Sequence, residues 1–206
     1  MFITLEGPEG SGKTTAVNFA VKKLEEMGSQ IIRTREPGGT PISEQIRNVI
    51  LDKANTSMDK RTEALLYAAS RRQHLVEKVW PALKEGKIVI CDRYLDSSLA
   101  YQGGARGLGV DNILRVNEFA TEGTFPDLTL LFDIDPKIGL ARISANSDRE
   151  VNRLDLEKLD FHNCVRNTFL ELAKRYPERF VIIDASKSQE EVAKKTLDVI
   201  LSRICK

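Results

Sequence analysis

A chain of 206 residues is long enough to bury one α/β core and short for two. Hydrophobic residues at 41% and charged residues at 30% fit a folded globular protein and exclude a disordered one. With a net charge of +1, no global field draws the chain to nucleic acid or to an anionic membrane, and neither is expected as a partner.

The chain opens on an apolar run, Phe2–Leu5, predicted as a buried strand, with neither the basic segment nor the long apolar core of a signal peptide. It runs straight into Gly7-Pro8-Glu9-Gly10-Ser11-Gly12-Lys13-Thr14, a complete G-x-x-x-x-G-K-[ST] opening a helical stretch that Gly28 closes. Gln30–Thr34 reads as a second strand. Thr40-Pro41 then supplies an N-cap and a proline at the first helical position. A long helical pattern carrying Tyr67, Arg71 and Arg72 ends near Gly86, followed by a third strand, Lys87–Cys91, with Asp92 at its end. The glycine-rich stretch Gly103–Gly109 is too short to divide domains.

Leu128–Ile134 is predicted as the fourth strand, and its uncharged apolar run, Leu128–Phe132, is far too short to cross a bilayer. Asp135-Pro136 repeats the cap-and-proline signal. The polar segment 144–153 has no apolar periodicity and reads as a surface loop, a candidate lid. Phe180–Asp184 is the fifth strand, and Ser188 with Glu191 forms a capping-box pattern that opens the last helix. Strands alternating with helices predict an α/β fold, a doubly wound parallel sheet of about five strands, as one domain over 1–206. Three cysteines, Cys91, Cys164 and Cys205, lack metal-ligand spacing, which suits reduced thiols in a cytoplasmic protein.

The glycine-rich loop carries the chemistry. Its backbone N–H groups, from Gly7 through Pro8, Glu9, Gly10, Ser11 and Gly12, can wrap a phosphate chain, and the helix N-terminus adds a positive dipole end. Lys13 would reach the β- and γ-phosphates of ATP, and the Thr14 hydroxyl would ligate magnesium. Asp92 would face the same phosphates and hold the metal directly or through water, with Asp133 competing for that duty. Arg93 puts a cation beside the same crevice. The arginines cluster locally, at Arg71 and Arg72 and again at Arg142, Arg149 and Arg153, which points to small anions as ligands.

The chain has neither the N-K-x-D nor the D-x-x-G of a signalling GTPase. A small-molecule kinase needs an acceptor site and a closing lid with cations, and the sequence offers both. The open alternative from another class is a nucleotide-dependent switch with no acceptor.

Glu36-Pro37-Gly38-Gly39-Thr40, Ala68-Ala69-Ser70-Arg71-Arg72 and the run from Asp92 to Gly103 (D-R-Y-L-D-S-S-L-A-Y-Q-G), with the P-loop, closely resemble bacterial thymidylate kinases over nearly the whole chain. The resemblance implies transfer of the ATP γ-phosphoryl group to dTMP and a homodimer, for which apolar helix faces such as Ile113–Phe119 could serve. A kinase for another nucleoside monophosphate, dUMP or CMP, is the nearest alternative.

By the same resemblance Arg71 meets a thymine carbonyl with Ser98 and Gln102 as polar neighbours. Tyr67 stacks on the base and Tyr101 packs beside the deoxyribose. Arg93 and Arg47 grip the acceptor phosphate, with Glu36 near its sugar and phosphate. Because the P-loop holds no arginine, the chain looks like the type that carries its catalytic arginines in the lid: Arg149 and Arg153, with Arg142 leading in. Asn152-Arg153-Leu154-Asp155 departs from the usual D-R-x-E, which leaves the ranking of Arg149 and Arg153 open. His74 and His162 are read as structural, since an ionised acceptor phosphate needs no general base.

Overall fold

A computed structural model describes residues 1–145 and 153–204; Arg149, Asn152 and Cys205 lie outside them. Five parallel strands pair in the order β2-β3-β1-β4-β5. They are β1 (Phe2–Glu6), β2 (Ile31–Arg35), β3 (Ile88–Asp92), β4 (Leu128–Asp133) and β5 (Phe180–Asp184). The three middle strands are nearly continuously buried, as β-branched and leucine-rich runs covered on both faces must be. The outer strands β2 and β5, with a neighbour on one side only, are partly exposed.

Side-chain alternation divides the core into two layers. Ile3, Leu5, Ile90, Leu130 and Phe132 pack under α1 (Lys13–Glu26) and α9 (Gln189–Ile204). Phe2, Val89, Cys91 and Leu131 face the opposite layer. That layer holds α3 (Lys60–His74), a π-helical turn at Leu75–Val79, α4 (Trp80–Lys84), α5 (Leu95–Ser98), a second π-helical turn at Leu99–Ala105 and α8 (Leu159–Arg175). Helices α2 (Pro41–Leu51) and α6 (Val110–Thr121) pack against α3, and α7 (Pro136–Ser144) follows β4.

The caps show where local sequence decided local structure. Asp135 accepts from the Lys137 N–H at 2.8 Å at the start of α7. Ser188 and Glu191 bond reciprocally, backbone to side chain, at 3.0 and 3.2 Å, which is the capping box read from the sequence. Thr40 occupies the N-cap of α2, but its hydroxyl donates to Ser43 Oγ instead of accepting from the helix backbone. Among the described residues, no helix is long and apolar enough to cross a membrane.

Candidate functional site

The carboxyl ends of the neighbouring strands β1 and β3 meet where an open α/β sheet places its ligands. From β1 the chain wraps tightly into the glycine loop. Gly10 has φ 70°, and a Cβ there would collide with the Gly139 carbonyl of α7. A Cβ on Gly139 would collide in turn with the Glu9 carbonyl, so loop and helix touch backbone to backbone.

The buried Lys13 ammonium donates to Gly7 O, Pro8 O and Ser11 Oγ at 3.1–3.2 Å and ties the loop across its own mouth. Burial, then the nearby Arg93 charge, push its pKa down to about 8. A bound phosphate chain would restore the charged form. Triphosphate binding at pH 9 is therefore expected to take up a proton. Affinity should be full below pH 8 and weaken as pH rises above it. Calorimetry in buffers of different ionisation enthalpy reads this directly, and identical heats in such buffers at pH 9 would contradict it.

At the end of β3, Asp92 Oδ1 is buried with no hydrogen-bond partner, an arrangement native proteins avoid unless a ligand completes it. Asp133 instead receives a two-pronged grip from Arg166 at 2.7 and 2.9 Å. Of the two carboxylates in competition, Asp92 is the one with an uncommitted oxygen.

Arg93 follows with φ 65°, left-handed backbone for a non-glycine residue that costs on the order of 1–3 kcal/mol. Its guanidinium donates to Gly7 O, Ser97 Oγ and Glu9 Oε1, the last at 2.7 Å, and lies over the Tyr101 ring. Burial works against its charge, but Glu9, Tyr101 and Asp92 push its pKa well upward, so it stays cationic. Beneath it Ser97 donates to Glu6 at 2.5 Å, and burial, then Asp96, raise Glu6 to about 8.

A pocket of about 160 Å³ collects all eight acceptor-side residues expected from sequence: Glu36, Arg47, Tyr67, Arg71, Arg93, Ser98, Tyr101 and Gln102. Arg71 is its fixed point. It is 1% exposed, and its guanidinium donates to Glu36 at 2.7 Å, Ser98 at 3.1 Å, Tyr94 O at 2.9 Å and Asn117 Oδ1. A guanidinium has five N–H groups, so one is left for the pocket. Arg72, its neighbour in sequence, points outward to Glu122 and Trp80. His74 is buried, donating through Nδ1 to Glu36 at 2.9 Å with Thr34 on its other nitrogen, which makes it a support for the Glu36–Arg71 pair. His162 is buried as well.

A larger cleft, about 770 Å³, runs from the glycine loop (Glu9, Gly10, Ser11, Gly12, Lys13, Thr14) past Arg142 to the loop after β5. Glu9, Asp92 and Arg93 line both cavities, so the two share a wall. Arg153 is not brought into either cavity. It is buried against α3, donating to Glu63 at 2.6 Å and to Ile50 O at 3.0 Å.

Sequence reasoning passed over Arg35, which lines the smaller pocket, and Lys187 and Gln189, which line the larger one. Arg35 was findable as a cation closing a strand. Asn117 and Glu63, which hold Arg71 and Gln102, gave no local signal.

The family model described as thymidylate kinase matches residues 5–196. A thymidylate kinase of Clostridium novyi is 62% identical over 191 residues, covering 93% of each chain. One from Bacillus velezensis is 59% identical, covering 97% of this chain and 94% of its own. The crystal structure of a thymidylate kinase from Ehrlichia chaffeensis superposes with a TM-score of 0.78 at 32% identity, covering 98% of both chains.

Proposed function

We propose a course for the reaction of this chain, which belongs to the thymidylate kinase family and is a phosphotransferase. The γ-phosphoryl group of ATP passes to the 5′-phosphate of dTMP, giving dTDP and ADP. The observation that carries this reading is the shared wall. A triphosphate in the large cleft and a monophosphate in the small pocket would meet across Glu9, Asp92 and Arg93. A switch without an acceptor has no need of the second pocket.

Two anions must approach in line, and their repulsion is the main obstacle. Lys13 lies under the β- and γ-phosphates and exchanges its three loop contacts for phosphate oxygens. Arg93, and Arg47 beside Pro37, orient the acceptor phosphate. Arg93 stays charged beside Glu9, Gly7 O and Ser97 Oγ, so it offers the acceptor phosphate a permanent cation. Tyr67 offers the base a face, and Tyr101, packed on Phe161 and Phe169, closes the sugar side against a 2′-hydroxyl.

The buried, unpartnered Asp92 oxygen and the Thr14 hydroxyl form a hard-oxygen donor set that fits magnesium. Bound there, the ion would supply positive charge that offsets the charge of the phosphates. Arg142, hydrogen-bonded to Ala185 O at 3.2 Å, flanks the nucleotide end of the cleft. Residues 9–16, near the start of the chain, and Ala185, Lys187, Ser188 and Gln189, near its end, line this one cleft, which supports reading 1–206 as a single domain. Phe119, 90% exposed on α6, supports a homodimer through that helix. The free thiols Cys91 and Cys164 suit a cytoplasmic setting.

Turnover of ATP with and without dTMP tests the reading, since ADP release independent of dTMP would favour a switch. Within it, Arg149 and Arg153 remain the proposed lid cations for the transferring charge. Arg153 would have to leave Glu63 to act there, so Arg149 takes the larger share. Arg149→Ala is expected to lower kcat by more than it raises the KM for dTMP. Near-normal turnover of the Arg149→Ala, Arg153→Ala double variant would move that duty elsewhere.

A further inference from the structure

Gln102 stands on the second π-helical turn, and its carboxamide is held in one of two orientations. Its Nε2 donates to Glu63 Oε1 at 2.9 Å. Its Oε1 makes no hydrogen bond to the described residues, and the side chain lines the small pocket. The Glu63 carboxylate is 1% exposed and also accepts from Arg153 at 2.6 Å and from Arg106 at 3.3 Å. Burial works against its charge, but hydrogen bonds from Gln102, Arg153 and Arg106 hold its pKa below the ordinary glutamate value. It therefore stays ionised, and an ionised carboxylate can only accept.

We propose that Glu63 is a specificity-positioning residue: by pinning Gln102 Nε2 it presents Gln102 Oε1, an acceptor, to the base. This rests on the reading that Gln102 and Arg71 face the base of dTMP. The last free N–H of Arg71 beside an acceptor oxygen matches a carbonyl next to an N–H, the pattern on the thymine edge. Cytosine offers the reverse, an amine next to a ring nitrogen that accepts. Turning the Gln102 amide over would suit cytosine, but it would set Oε1 against the Glu63 oxygens, acceptor against acceptor, in a buried site. A glutamine at position 63 removes that bar, because its own amide can donate or accept and Gln102 can follow.

The test is steady-state kcat/KM for dTMP and dCMP with Glu63→Gln at saturating magnesium-ATP. The preference for dTMP over dCMP is expected to fall at least about tenfold from the wild-type value, a change that a merely structural lesion would not make. A ratio within about twofold of wild type would overturn the proposal. Arg106→Gln also removes an ion pair from Glu63 but leaves the carboxylate in place, so its ratio should match wild type. If it lowered the ratio as far as Glu63→Gln does, loss of the charge network would explain both and the proposal would fall.

Should Glu63→Gln not fold, wild-type protein labelled with ¹⁵N-glutamine decides the matter. With dTMP bound, the Gln102 NH₂ protons should exchange slowly, still bonded to the carboxylate. Exchange at the rate of a free amide would refute the pinned orientation. A wild-type protein without preference for dTMP would sink the site reading and this inference together. A normal wild-type preference unmoved by Glu63→Gln would sink the inference alone.

Discussion

dCMP should be turned over with a kcat/KM lower than that of dTMP by a factor of about a thousand or more. The reason is the immobility of Arg71. Four of its donors are committed to Glu36, Ser98, Asn117 and the Tyr94 carbonyl, and Glu36 is itself held by His74. Such a guanidinium cannot swing aside when an amine replaces the carbonyl it expects. A buried charge left facing another donor costs several kcal/mol, so ~4 kcal/mol, or a thousandfold, is within reach. dUMP differs from dTMP by a methyl group only, worth about 1–3 kcal/mol in an apolar pocket, so discrimination against it should be about 10–200-fold. Steady-state kinetics with the three acceptors at saturating magnesium-ATP gives the answer. If dCMP matched dTMP, the base-reading role of Arg71 would be lost.

Lys13→Ala should lower kcat at least about 100-fold, equivalent to ~3 kcal/mol of transition-state stabilisation. The ammonium sits at the centre of the loop with Gly7 O, Pro8 O and Ser11 Oγ as its partners. Those neutral acceptors are weaker than phosphate oxygens, so the contact strengthens as γ-phosphoryl charge redistributes. A thermal melt is needed alongside, because losing three loop contacts could loosen the loop. A folded variant with half of wild-type turnover would end the phosphate-clamp assignment.

The strands were legible to within one residue at each end, because apolar runs of four to seven residues between helical patterns have few other uses. The pocket was legible where motifs concentrate: Arg93, Ser98, Tyr101 and Gln102 all come from one short run after β3. What stayed hidden was carried by pairs distant in sequence. Asn117 reaches Arg71 across 46 positions, and Arg153 reaches Glu63 across 90. Arg153, Gln102 and Glu63 each look solvated or self-sufficient alone, and only tertiary packing makes them partners. The two π-helical turns gave no compositional warning either, although one of them carries Tyr101 and Gln102.

Gly10 and Gly139 close on each other from opposite sides of one contact. A side chain at either position strikes backbone, not a movable side chain, so no change at the second position can make room for one at the first. The pair therefore cannot drift by compensation: each position is fixed on its own account, and no double substitution rescues a single one. For anyone redesigning the nucleotide cleft, recombining the loop and α7 from different parents across this seam is safe only if both bring glycine.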